Sequence, residues 1–380
     1  MRMTVRPTTD AYAGAMLDLD ALRRWPDVES PDLQAHDAAD ALILQEAAHL
    51  VPGREVVVVG DRHGALTLGA LDAGATSVRV HQDAITSERA LEANAARLGM
   101  TGFAHHALDA DLVADASVVL LQLPRSLDAL DEIAGLVARH ASAGVELVAG
   151  GRVKHMTRTQ NDVLARHLHE VRATLAHRKA RVLHAREPHQ DLPPLAWPRT
   201  VRHDDVGLTV VAHGGVFAGT SVDRGTRMLL ERIRRLPRAE AILDLGCGSG
   251  LLATAAALAQ PHATVTATDR SAAAVRSTVL TAAANGARMT AVRDDAAASL
   301  PDGAVDVVLL NPPFHADAAV HTGLAHRMFE AAARVLRPGG ELWAVWNGHL
   351  RYRAALERVV GPTRQIARDT TFTVTASRRG

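Results

Sequence analysis

Two periods of hydrophobicity alternate along the chain, short β-branched runs giving way to segments of helical spacing. Residues 37–51 (DAADALILQEAAHLV) carry apolar positions at helical intervals and stop at Pro52-Gly53, which predicts a helix. The run 55–59 (EVVVV) predicts a fully buried strand, and strand-like and helix-like segments then alternate at 77–81, 87–98, 117–123, 126–140 and 145–148. That alternation implies βαβ units and a parallel sheet. Residues 151–186 read as helical, residues 188–198 as a proline-rich linker, and 200–203 with 208–213 as a hairpin turning at Asp204-Asp205-Val206-Gly207. A second run follows. Its strands are expected at 241–245, 264–268, 289–292, 305–310 and 341–346, and its helices at 251–259, 272–284 and 324–336. Arg337-Pro338-Gly339-Gly340 predicts a turn, 371–376 predicts an edge strand, and residues 1–30 form a poorly patterned leader. The expected fold is α/β with two doubly wound sheets. The domains are 1–187, a linker at 188–199, and 200–380.

The two halves read as copies. Residues 56–66 (VVVVGDRHGAL) line up with 242–252 (ILDLGCGSGLL), so that Gly60 and Gly64 fall on Gly246 and Gly250. Residues 121–124 (LQLP) line up with 309–312 (LLNP), which sets Leu123 against Asn311. Arg62 stands where Gly248 is and would intrude on a backbone-lined pocket, so the first copy is expected to be degenerate, kept for binding or support.

Composition narrows the classes. A length of 380 residues suits two domains, and 47% hydrophobic residues supply two cores, with Ala, Val and Leu doing the packing because aromatics are only 3%. Lys and Arg (42) balance Asp and Glu (42), so any nucleic-acid footprint must be local. Residues 151–186 are such a place, with nine Lys/Arg against two acids and five histidines. They serve either as a solvated helix face or as a phosphate contact through Lys154, Arg172, Arg178 and Lys179. One cysteine excludes a disulfide framework and a multi-Cys zinc site, and the histidines show no metal-binding spacing. With no signal-peptide core and no apolar run long enough for a bilayer, a cytosolic monomer is expected.

The chemistry gathers in the second half. Residues 244–250 (DLGCGSG) follow a buried strand and open a helix, and their glycines let backbone approach a ligand. Gly250 falls one residue early for the pyrophosphate fingerprint GxGxxG, and Asp244 suits a cationic amino-acid end better than a pyrophosphate. Asp269, closing the next strand, is placed for two ribose hydroxyls; the alternative is a helix cap before Ser271. Cys247 is read as packing. Asn311-Pro312-Pro313-Phe314 ends the apolar run 305–310 (VDVVLL) and cannot continue a strand, because proline lacks an N–H. The Asn311 side-chain oxygen and the Pro312 carbonyl are two acceptors that can face one NH₂ group, and Phe314 offers a face for stacking. The plain alternative is a turn with Phe314 in the core. His315 either closes the substrate pocket or caps the turn.

These motifs, with Asp294-Asp295 after the third strand, resemble class I S-adenosylmethionine-dependent methyltransferases, in which NPPF-type loops are typical of amino-nitrogen methylation. Residues 215–217 (GVF), 223–227 (DRGTR) and 347–352 (NGHLRY) extend the likeness to the RsmC/RlmG family of ribosomal RNA guanine-N2 methyltransferases. Residues 33–40 (LQAHDAAD) and 153–155 (VKH) look more like the RlmG branch, which acts on 23S rRNA. The resemblance implies two tandem Rossmann-like methyltransferase domains with the C-terminal copy catalytic. It implies methionine against Asp244, Gly246, Gly248 and Gly250, ribose on Asp269, adenine on Asp295, and Phe217, Asp223 and Thr226 near the methyl-bearing sulfur. Asn311 and Pro312 would then orient the amine of a flipped guanine. Three other activities stay open: methylation of a 16S rRNA guanine, methylation of a protein glutamine, and a nicotinamide oxidoreductase. A non-catalytic RNA-binding assembly factor is the non-enzymatic alternative.

Overall fold

A computed structural model describes residues 17–27, 29–30, 33–312 and 318–380, with backbone alone for 318–322. Its first compact unit comprises residues 1–82, 87–123 and 136–192; its second comprises 83–86, 124–135 and 193–380.

The first unit starts with α1 (Ala38–Ala47), opened by Asp37 and Asp40, which cap each other's backbone. There follow β1 (Glu55–Val59), α2 (Ala65–Asp72), β2 (Ser77–His81), α3 (Ile85–Leu98), β3 (Phe103–His105) and α4 (Ala110–Val113). Next come β4 (Val118–Gln122), α5 (Leu127–His140), whose residues up to Gly135 belong to the second unit, β5 (Glu146–Arg152), α6 (Arg158–Ala165), β6 (Leu168–Ala173) and β7 (Ala180–Pro188). The strands form one sheet in the order β3-β2-β1-β4-β5-β7-β6, with β7 antiparallel to both neighbours. Val56 and Val58 of β1 pack on one face with Leu66, Leu68 and Ile43, and Val57 on the other face also has no exposed surface, as a parallel strand covered on both faces requires. The poorly patterned leader contributes Leu22 to this core, and Ala35 just beyond it joins the same cluster.

The basic segment 151–186 is not helical. Only α6 within it is an α-helix; the remainder is mainly β6, β7 and their turn. Val171, Leu183 and Ala185 share one face of an antiparallel pair, a period of two that helical spacing had hidden.

The second unit opens on the hairpin β8 (Arg199–His203) and β9 (Leu208–Ala212), as expected. Then come α7 (Arg224–Leu230), β10 (Ala241–Leu245), α8 (Leu251–Ala259), β11 (Thr264–Asp269), α9 (Ala272–Ala284), β12 (Thr290–Arg293), β13 (Val305–Leu310) and α10 (Ala318–Val335). The chain ends through β14 (Leu336–Asn347), α11 (Arg353–Val359), β15 (Thr363–Arg368) and β16 (Phe372–Arg378). The sheet order, β12-β11-β10-β13-β14-β16-β15, repeats that of the first unit strand for strand. Two expectations are corrected. The turn at 337–340 lies within the span of β14, and β16 is interior, lying between β14 and the true edge strand β15.

Strand register also corrects the alignment of the copies. Val59 pairs with Leu121 in the first sheet and Leu245 with Leu310 in the second. The residue following each is therefore equivalent, and Gln122, not Leu123, stands where Asn311 is. The same reasoning pairs Gln82 with Asp269, since Val59 faces His81 and Leu245 faces Thr268.

Candidate active site

The turn after β10 is shaped by glycines with positive φ. Gly250 has φ +80°, and a Cβ there would lie 2.8 Å from the Thr278 Cα, so α8 and α9 cannot meet around any larger residue. Gly246 and Cys247 donate their N–H groups to the Thr268 carbonyl at 2.8 and 3.0 Å, tying the turn to the end of β11. Gly248 has φ +54°, and no atom lies within 4 Å of where its Cβ would be. Cys247 is buried and accepts from Thr278 Oγ1, and burial pushes its thiol well above the ordinary value. This is the packing role expected of it.

Asp244 lies beneath the turn. Its Oδ2 accepts from Ala253 N in α8 at 2.9 Å, while its buried Oδ1 has no partner among the described residues. Burial raises its carboxyl to about 7. An unpaired buried carboxylate oxygen fits a cationic group bound over the turn. Asp269 Oδ2 accepts from Gly248 N at 3.1 Å and Oδ1 from Ser271 N at 3.0 Å. Ser271 itself caps α9 through Ala274 N, so Asp269 is not the cap. Burial raises the Asp269 carboxyl as well.

Beside the turn is a cavity of about 340 Å³, a volume suited to a cofactor-sized ligand. Phe217, Gly246, Gly248, Asp269, Asp295 and Asn311 all border it, as does Pro312. Asp295 Oδ2 is paired with Arg327 Nη2 at 2.8 Å. The adjacent Asp294 holds Ser299 by N–H and hydroxyl at 2.8 and 2.7 Å. An adjoining recess is lined by Phe217, Asp223, Thr226, Gly246, Gly248 and Asn311. The Phe217 side chain is more than half exposed there.

Asn311 sits where the two recesses meet. Its Nδ2 donates to Asp223 Oδ2 at 3.1 Å and to Thr226 Oγ1 at 2.9 Å. A carboxylate only accepts, so Asp223 fixes which end of the amide is NH₂. Asp223 also caps α7 through Thr226 N. With Nδ2 held, Asn311 Oδ1 is buried and has no partner among the described residues. Pro313, Phe314 and His315 lie outside the described residues.

The expected RNA contacts lie in the first unit. Lys154 is exposed just after β5, and Arg172 is exposed on β6, paired with Glu170 at 3.2 Å. Arg178 and Lys179 are exposed in the β6–β7 turn, whose Leu175 is 91% exposed. Sequence reasoning missed several members of the cavity wall: Asp83, Ala84, Thr268, Arg270 and Met328. For Asp83 there was no local signal, because its partners on α9 are remote in sequence. Among the described residues no group of His, Cys, Asp or Glu is arranged to hold a metal, and no helix is long and apolar enough to cross a membrane.

The family described as methyltransferase small domain matches residues 207–376, and the one described as RLMG N-terminal domain matches 15–189. A solved structure of the T. thermophilus 16S rRNA N2 methyltransferase RsmC, in complex with AdoMet and guanosine, superposes with a TM-score of 0.74. That likeness covers 91% of this chain and 92% of the other at 23% identity, and it shows the tandem fold. Fold and site together define a class I S-adenosylmethionine-dependent methyltransferase. Proteins named ribosomal RNA large subunit methyltransferase G are 37% identical in Streptomyces avermitilis (93% of this chain, 95% of the relative) and 35% identical in Pseudomonas fluorescens (96% and 98%). The chain belongs to the ribosomal RNA large subunit methyltransferase G family.

Proposed function

We propose that this enzyme transfers the methyl group of S-adenosylmethionine to the exocyclic N2 of a guanine in 23S ribosomal RNA. One observation carries the reading: Asn311 has its NH₂ locked by Asp223 and Thr226, and its oxygen is left over beside the glycine turn. When bound, S-adenosylmethionine supplies a sulfonium-activated methyl group. Gly246, Gly248 and Gly250 form the backbone turn that receives the methionine, and Asp244 beneath it supplies negative potential for the ammonium. Asp269 takes the ribose hydroxyls and Asp295 faces the adenine.

The guanine N2 lone pair is delocalised into the ring and is a weak nucleophile. Asn311 Oδ1 and the Pro312 carbonyl accept its two hydrogens, turn the lone pair out of the ring plane and stabilise the positive charge that develops on nitrogen. Alignment with the methyl group supplies much of the rest. No strong base is needed, since the methylated nitrogen loses its proton readily. Phe314 and His315 are assigned to the base-binding side. Lys154, Arg172, Arg178 and Lys179 of the N-terminal domain (1–187) bind RNA phosphate. The C-terminal domain (200–380) carries the catalytic site, and the enzyme works as a cytosolic monomer.

Mass spectrometry of rRNA nucleosides, mapped to position in a strain lacking the gene, tests the reading. Wild type should restore one N2-methylguanine in 23S rRNA and Asn311→Ala should not. Restoration by both would remove Asn311 from the mechanism, and a 16S position would reassign the substrate.

A further inference from the structure

The second compact unit includes two segments that precede the linker in sequence, 83–86 and 124–135, both outside the matched methyltransferase domain. Each is fastened to a different wall of the cavity. Gly215, Val216 and Phe217 line one wall, and the two residues before them are held from 126–132. Glu132 accepts from Gly214 N through Oε2 at 2.8 Å and contacts His213 Nδ1 through Oε1 at 2.6 Å, with both side chains 7% exposed. Ser126 Oγ donates to the Gly214 carbonyl at 2.9 Å, and a Cβ on Gly214 would lie 2.2 Å from the Asp128 carbonyl oxygen. The strap is thus gripped on every side immediately before it meets the cavity. On the other wall, Asp83 borders the cavity itself. Its carbonyl accepts from Ala272 N at 2.8 Å and its Oδ1 from Ala273 N at 2.9 Å, setting the first turn of α9 beside Asp269 and Ser271. Ile85 N donates to the Arg270 carbonyl at 2.9 Å and closes the same join.

We propose that Asp83 and Glu132 are positioning residues of the cofactor cavity: Glu132 sets the 214–217 strap, and Asp83 sets the α9 edge next to the ribose-binding carboxylate. This rests on the cavity being the cofactor site. The buried Glu132 carboxylate holds two partners, Gly214 N and His213 Nδ1, and the half-buried Asp83 carboxylate holds one, Ala273 N; removing either carboxylate leaves its donors unpaired.

The test is S-adenosylmethionine affinity, measured by calorimetry on the full chain, for Asp83→Ala, Asp83→Asn, Glu132→Ala and Glu132→Gln, with melting temperature recorded alongside. The alanine variants should bind about tenfold more weakly or worse, the equivalent of about one charged hydrogen bond. The amide variants keep an acceptor oxygen and should recover most of that loss. Should an alanine variant fail to fold, its amide partner and Ser126→Ala are read instead, with a loss of a few-fold expected. Wild-type affinity in both alanine variants, or in these substitutes, overturns the proposal even where melting temperature falls. Asp269→Ala separates the two ideas. If it too binds normally, the cavity is not the cofactor site; if it binds poorly while the other variants bind normally, only the positioning role is lost.

Discussion

The glycine turns after β1 and β10 have nearly the same backbone and opposite chemistry. Gly60 and Gly64 have φ +82° and +97°, Gly246 and Gly250 have +78° and +80°, and each turn opens a helix within a sheet of identical strand order. The first turn uses its polar groups on itself. Asp61 accepts from Gly64 N and Thr67 N at 3.0 and 2.8 Å, Gln82 donates to the Asp61 carbonyl at 2.7 Å, and His63 contacts the Ala35 carbonyl and Asp27. The second turn leaves Asp244 Oδ1 and Asn311 Oδ1 unpaired among the described residues. Where the second copy has Gly248, Asp269 and Asn311, the first has Arg62, Gln82 and Gln122. Gln122 keeps the amide at the clamp position, and its buried Oε1 is likewise unpartnered among the described residues. A duplicated sheet can thus keep its turn geometry after its ligand chemistry has been replaced, since the backbone is maintained by burial and by glycine.

The harshest way to break the comparison is to give the second turn the side chain of the first. Gly248→Arg should reduce methyl transfer to background and abolish cofactor binding, because the residue is left-handed and opens on the cavity. Calorimetry with a circular dichroism check of folding measures it. Next, Asn311→Ala should lower turnover by about a hundredfold or more while leaving cofactor affinity nearly intact, as read by single-turnover rates. Neutralising Arg172, Arg178 and Lys179 together should weaken RNA binding by about tenfold at moderate salt and reduce the salt slope by about two, measured by filter binding. An unaltered slope would return that edge to ordinary solvated surface.

A smaller effect follows from Asp244. Its folded carboxyl sits at about 7, above the unfolded value of 3.8. Its contribution to the stability of the ligand-free protein is therefore complete below about pH 3.8 and is lost as pH rises through 7. A bound ammonium favours the ionised form, so cofactor affinity should rise a few-fold between about pH 6 and pH 8 with proton release. Asp244→Asn should remove both trends, which calorimetry in buffers of different ionisation enthalpy would detect. The smallest effect is a null one: Arg62→Gly should leave the stoichiometry at one cofactor per chain. A second binding event would show that the arginine alone silences the first turn.

Much of this was legible in the chain. The strand at 55–59, the second half from 241 to 284 and the tandem repeat follow from β-branched runs and glycine spacing, which are local signals. What stayed hidden was long-range or masked by composition. The strands β6 and β7 carry so many basic residues that their period of two does not stand out. β15 alternates too weakly to declare itself, which made β16 look like an edge. The copies were set one residue out of register at the clamp because only strand pairing, not similarity of the short motifs, fixes that offset. Asp83 and Glu132 could not be found by any motif, since their partners are remote in sequence.

The carboxylate of Asp223 both begins a helix and grips an amide. Turning that amide over would set oxygen against oxygen beside the helix cap, so Asp223 polarises the corner in one sense. In the proposed reaction an exocyclic amino group is welcomed there, whereas a keto group presents a lone pair to a lone pair and is turned away by charge before its shape is tested. On that proposal, discrimination between amino and keto edges of a nucleobase is set by the start of a helix, at some remove from any contact with the base.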